Sequence, residues 1–134
     1  MRIEVIFGVI YVIAVLILLI GLRQLTAFYD STKMITDILC LERYKSMVRV
    51  QMYLALLMIG VLGAGMIVGL MLAVKHGTLG VVAIIVSNGV VFGLAKYTKG
   101  VELKIRDLDV SSEVLKSQFQ AISSTWVRKA LPDF

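Results

Sequence analysis

Between Met52 and Tyr97 two long apolar runs, YLALLMIGVLGAGMIVGLMLAV and LGVVAIIVSNGVVFGLAKY, are joined only by KHGT. Each run is close to the twenty or so residues that carry an α-helix across roughly 30 Å of hydrocarbon. A lone strand could not satisfy its backbone polar groups in lipid, so both runs must be helical. Lys75, His76, Gly77 and Thr78 leave room only for a sharp antiparallel turn. The stretch reads as a transmembrane hairpin, with helices at about 52–74 and 79–95.

A third apolar run, residues 3–22, has the same length. Arg2 is offset at once by Glu4, the run is longer than a signal-peptide core, and Leu25 stands where a cleavage site needs a small residue. It reads as a retained membrane helix, with Tyr11 near its middle pointing its hydroxyl at protein. The chain's 59% apolar content and mean hydropathy of +0.91 exceed those of a soluble domain. The expectation is an all-α integral membrane protein, one membrane domain over residues 1–134.

Two polar stretches complete it, a segment at 23–50 and a tail at 96–134. In the first, Asp30 or Ser31 suits a helix N-cap, and Met34, Ile35, Ile38, Leu39 and Leu41 then fall on one helical side. The pattern breaks near Glu42–Lys45, which predicts a short amphipathic helix at 31–42 and a corner after it. In the tail, Val101, Ile105, Leu108, Ser112, Leu115, Phe119, Ile122 and Trp126 recur in steps of three and four. That heptad seam predicts a helix over about 101–130, closed by Pro132. Internal repeats are not visible in the sequence.

The charge distribution gives an orientation. Twelve of the fourteen Lys and Arg residues lie in 23–50 and the tail, and only Arg2 and Lys75 lie on the other side. Such bias places the N-terminus outside and the C-terminus in the cytoplasm of a multi-pass membrane protein, with the bacterial inner membrane as the expected location. The net charge of +5 is thereby explained without nucleic acid. Arg43, Lys45, Arg49, Lys96, Lys99 and Lys104 would form a basic collar for anionic lipid headgroups.

Within the membrane the small residues pair at four-residue spacing: Gly60 with Ala64, Gly65 with Gly69, Gly89 with Gly93. Such pairs let helix backbones approach where no hydrophobic effect drives association. Folding the hairpin about residues 76–77 sets Gly60 opposite Gly93 and Ala64 opposite Gly89, so those pairs are expected to close it. Gly65 and Gly69 then face the first helix or another subunit. Asn88 is expected to make an interhelical hydrogen bond, with pore lining as the sharper reading. In the tail, the seam from Ile105 and Leu108 through Leu115, Phe119, Ile122 and Trp126 is the expected docking surface. It must bury against the 31–42 helix, a second copy or another protein.

The second and third helices contain no Asp, Glu, Lys, Arg or His, so ion-coupled transport by this chain alone is not expected. No nucleophile–base pair, phosphate loop or metal cluster appears; no enzymatic activity and no cofactor are expected. His76 reads as a solvated turn residue, and Cys40 as a packing residue or, less directly, a lipidation site. The role that remains is a small non-catalytic accessory or structural subunit of a larger membrane complex, packed against other membrane subunits. Two alternatives follow from likeness of layout. Three helices with a basic cytoplasmic tail resemble some phage holins, which implies a self-assembling pore. The helix order and the GVLGAGMIVGL run resemble the ring-type stator subunits of ion-driven motors, which implies a reduced ring subunit. The short turn after that run and the lack of a large cytoplasmic domain depart from the stator pattern.

Overall fold

The computed structural model describes residues 2–129 and 131–132. Three long helices form a bundle: α1 (Ile3–Ser31), α2 (Ile38–His76) and α3 (Thr78–Arg106). A short helix, α4 (Glu113–Arg128), follows. Two-residue strands, β1 (Met34–Ile35) and β2 (Asp109–Val110), pair in parallel, Met34 with Asp109 and Ile35 with Val110. All three long helices are long and apolar enough to cross a membrane. One end of the bundle carries the α2–α3 turn and the other carries the strands.

The hairpin turn falls where the polar corner places it, on Gly77, whose φ of +60° favours glycine. The helices themselves run further than the apolar stretches. At about 1.5 Å per residue, the 39 residues of α2 extend nearly 60 Å, twice a hydrocarbon thickness. In α1 the stripe Phe7, Tyr11, Ala14, Ile17, Gly21 continues into Leu25 and Phe28, so the buried face does not stop where the apolar run does.

The expected helix at 31–42 does not form. Ser31 ends α1, Thr32 is extended, and residues 32–37 make a corner containing β1. Asp37 is the real N-cap: its carboxylate accepts the backbone N–H of Cys40 at 2.8 Å and starts α2, which runs through Glu42–Lys45 without a break. Ile35 and Leu41 are buried, whereas Met34, Ile38 and Leu39 are exposed. The apparent stripe therefore mixed a strand residue with a helix's first turn.

The tail helix over 101–130 is likewise divided. Residues 101–106 are the end of α3, residues 107–112 carry β2, and α4 begins after Ser112. Residue 130, at the far end of the expected helix, lies outside the described residues. Ser111 secures the break: its N–H donates to the Ile35 carbonyl at 3.0 Å, and its hydroxyl donates to the carbonyls of Ile35 and Thr36.

These boundaries expose a repeat that the side chains hide. Each element of the second half starts 75 positions after its counterpart: α1 at Ile3 and α3 at Thr78, β1 at Met34 and β2 at Asp109, α2 at Ile38 and α4 at Glu113. Counterparts also meet. Tyr44 stacks on Phe119 with ring centroids 4.5 Å apart, and both belong to one core with Met47 and its counterpart Ile122. Only the last element differs in length, with 39 residues in α2 and 16 in α4.

The core has two parts. Toward the turn end, Phe7, Tyr11, Ala14, Ile17, Met58, Leu72 and Val91 pack between the three long helices. Toward the strand end, Leu25, Phe28, Ile35, Tyr44, Val48, Ile105, Phe119 and Ile122 tie α4 and both corners to α1 and α2.

Candidate functional site

The close approach of the hairpin lies at Gly80. A Cβ there would sit 2.6 Å from the Ala73 Cα and from the Leu72 carbonyl oxygen. From Gly80 the α3 seam continues through Ile84, Asn88 and Val91, in helical steps of three and four. Gly89 and Gly93 fall about 100° and 200° away from Asn88 and Val91, at 100° per residue. They leave the seam. A Cβ at Gly60, Gly89 or Gly93 would meet nothing within 4 Å, and Ala64 is exposed. The expected closure of the hairpin by Gly60–Gly93 and Ala64–Gly89 is therefore incorrect; matching depth alone did not fix the rotation of each helix.

Gly65 faces α1, as expected for that pair, and Gly69 faces both α1 and α3. The missing Cβ of Gly65 leaves room for Tyr11 and Ile10, that of Gly69 for Phe7 and Ile84, all at 3.0–3.4 Å. Beside them Asn88 donates to the Tyr11 hydroxyl at 2.9 Å and to the Ile84 carbonyl at 2.8 Å. Its amide is thus engaged inside the bundle. Ser87, one position earlier, lines a shallow cleft between α1 and α3 with Gly8, Val12, Val15, Val86 and Val90.

The repeat makes one face of α3 conspicuous. On α1, Phe7, Ala14 and Ile17 are buried, and Ile10 packs at Gly65. Their counterparts, Val82, Gly89, Phe92 and Ile85, are all exposed, Phe92 at 72%. The side that α1 spends on α2 is left open on α3.

The seam residues of the tail pack within the chain. Ile105, Phe119 and Ile122 are buried, and Leu108, Leu115 and Trp126 lie half-buried against the same core. Tyr44 holds their centre: it stacks on Phe119, meets Trp126 edge-on at 6.3 Å and shares a 2.7 Å hydrogen bond with Ser123. The exposed apolar residues of the strand end include instead Met34, Ile38, Leu39, Leu103, Val114 and Val127.

Arg43, Arg49, Lys96, Lys99 and Lys104 are exposed along the strand-end halves of α2 and α3, and Lys45 is half-buried. Lys99 pairs with Glu102 at 3.4 Å, and Arg106 approaches the same carboxylate at 3.7 Å. Nearby, the N–H of Cys40 holds the Asp37 carboxyl below the usual carboxylate range. Cys40 packs half-buried beside the strand-end core.

At the turn end sequence reasoning missed a connection. Glu4 accepts from Lys75 at 3.0 Å and contacts His76 Nε2 with the same oxygen, clipping the start of α1 to the end of α2. His76 is thus a helix-end partner of Glu4 and not a free turn residue. The signal was available in the opposite charges at the two apolar ends. Among the described residues no group of three or more His, Cys, Asp and Glu side chains could hold a metal ion. Compared with protein-family models, with curated proteins and with solved structures, the chain matches none.

Proposed function

We propose that this chain is a non-catalytic accessory or structural subunit of a larger membrane complex, and that the outward face of α3 seats a transmembrane helix of another subunit. In this reading the three long helices cross a bacterial inner membrane, with the turn end outside and the basic strand end in the cytoplasm. The twelve-to-two distribution of Lys and Arg supports that orientation.

One observation carries the assignment: the open α3 face is the counterpart of the α1 face that holds α2. Lipid alone would satisfy Val82, Ile85 and Phe92, but it makes no use of glycine. Gly89 lies on that face and Gly93 on the arc beside it, a four-residue spacing that suits close approach of another helix backbone. Gly60 and Ala64 offer a second open stripe on α2. Docking through the Ile105–Trp126 seam is less favoured, because those side chains already fill the chain's own core. A polar pore through this chain is less favoured too, because Asn88 is committed to Tyr11.

The test is purification of the full chain from its native membranes in mild detergent, with mass spectrometry of what accompanies it. A different membrane protein at fixed stoichiometry supports the subunit reading. A free monomer would sink it, and a pure homo-oligomer would favour the pore or ring readings.

A further inference from the structure

Toward the strand end α2 and α3 part, and a lateral groove of about 300 Å³ opens between them with α1 as its back wall. That volume stands at the lower end of small-ligand sites, roughly 300–1,000 Å³. The groove is graded along its length. Its inner part is apolar, lined by Ile17, Leu18, Leu54 and Met58. Small residues, Gly21, Ala55 and Ala95, leave the width. Its outer end is polar, lined by Gln51, Thr98, Lys99 and Glu102 together with Trp126 of α4. Ala95 and Glu102 are seven residues apart, so apolar gives way to polar over about 10 Å of helix rise.

The polar end keeps capacity for a ligand. The Gln51 amide donates to the Gly21 carbonyl and to Gln24, which anchors the wall. Thr98 donates to Leu94, leaving its hydroxyl oxygen able to accept. The Lys99 ammonium carries three N–H donors, has one carboxylate neighbour at 3.4 Å, and its side chain is 57% exposed. Trp126 is half-buried, and its indole N–H donates to no group among the described residues. That nitrogen is not among the buried polar atoms without a partner, so it is open to an acceptor from outside the chain. An extramembrane helix has thus brought an amphipathic ring with a spare donor to the mouth of an apolar slot, beside a lysine.

We infer that this groove holds an acyl chain of one phospholipid from the surrounding bilayer, with the lipid phosphate bound by Lys99 and the Trp126 indole N–H. The chain methylenes replace bulk lipid along Ile17, Leu18, Leu54 and Met58. The phosphate accepts from both donors at the level where tryptophan concentrates in membrane proteins. The inference rests on membrane insertion of α1–α3 and not on any partner subunit, so failure of the subunit reading leaves it standing.

Trp126 is the single tryptophan of the chain, which makes it a selective reporter. The full-length protein in a phosphate-free non-ionic detergent is titrated with a phospholipid brominated on its acyl chains, and tryptophan fluorescence is read. The wild type should show saturable quenching at about one lipid per chain. Lys99→Gln should weaken the apparent affinity at least about tenfold, and Ala95→Phe, which fills the slot, should abolish the saturable phase. A brominated alcohol of equal chain length, lacking the phosphate, should bind at least about tenfold more weakly than the phospholipid. Native mass spectrometry of the wild type and Lys99→Gln supplies a second readout, one retained phospholipid in the former and none in the latter, even if Ala95→Phe does not fold. Linear, unsaturable quenching in the wild type would overturn the inference, as would equal affinity for the alcohol and the phospholipid.

Discussion

Gly80→Ala adds one methyl group at the place where α2 and α3 come nearest. The new Cβ would stand 2.6 Å from both the Ala73 Cα and the Leu72 carbonyl oxygen, and 2.8 Å from the Ala73 nitrogen. Carbon atoms pack at about 3.5–4.0 Å, so the helices must separate by roughly 1 Å. Every atom in the way is backbone, so no side-chain rotation can relieve the clash. The turn at Gly77 is only three residues away and allows little hinging. Separation would loosen the packing of Ile84 over Gly69, where even a Cβ would stand only 3.0 Å from Ile84 Cγ1, and strain the clip of Glu4 to Lys75 and His76. Overpacking of this kind costs about 1–3 kcal/mol. For a chain of this size that corresponds to a fall in Tm on the order of 3–12 °C. Gly89→Ala is the matched control: its Cβ meets nothing within 4 Å, so the isolated protein should hold its Tm or gain slightly from helix propensity. Thermal unfolding of both variants in the same detergent, followed by circular dichroism, makes the comparison. Equal Tm for the two would refute the placement of the hairpin contact at Gly80.

Tyr44→Phe should cost about 0.5–1.5 kcal/mol through loss of the hydrogen bond to Ser123. Tyr44→Ala should cost about 3–5 kcal/mol by emptying the aromatic centre, both read by denaturant unfolding. A double-mutant cycle on Asn88→Leu and Tyr11→Phe should return a coupling of about 0.6 kcal/mol, the scale of hydrogen bonds between membrane helices. Because folding depresses the Asp37 pKa, its contribution is complete above the ordinary carboxylate value of about 3.9 and is lost as pH falls through the lower folded value. Melting curves from pH 5 down to pH 2 should therefore show wild type losing part of its advantage over Asp37→Asn.

The three long apolar helices and the α2–α3 turn were legible because length and hydropathy act on whole segments. Helix rotation was not. Glycine spacing and depth put Gly60 and Ala64 in the hairpin contact, whereas the close approach lies at Gly80 and a Cβ at Gly60 would meet nothing within 4 Å. The corners at 32–37 and 107–112 were obscured for a related reason. Two extended residues inserted between helices preserve a three-and-four rhythm by accident, so Ile35, Ile38 and Leu41 read as one helical stripe, and Ile105 and Leu108 joined smoothly to Leu115. The local signal against this was Asp37, whose carboxylate serves the N–H three residues on, an N-cap pattern. The repeat escaped notice because it resides in element lengths. Tyr44 and Phe119 are alike, but Tyr11 faces Val86 in the alignment of halves, and Leu25 faces Gly100. In the tail, the seam residues point to burial, and only the path of the chain reveals that its own α2 fills the opposite side.

The central claim, that the outward α3 face seats another subunit, is tested most directly by photo-crosslinking in native membranes. A photoreactive residue is placed at Phe92, 72% exposed on that face, and in a separate variant at Ile20, 60% exposed on α1. The account predicts a discrete adduct between Phe92 and one other membrane protein, with only lipid adducts at Ile20. Lipid adducts alone at both positions, in membranes where the chain is folded and inserted, would contradict it.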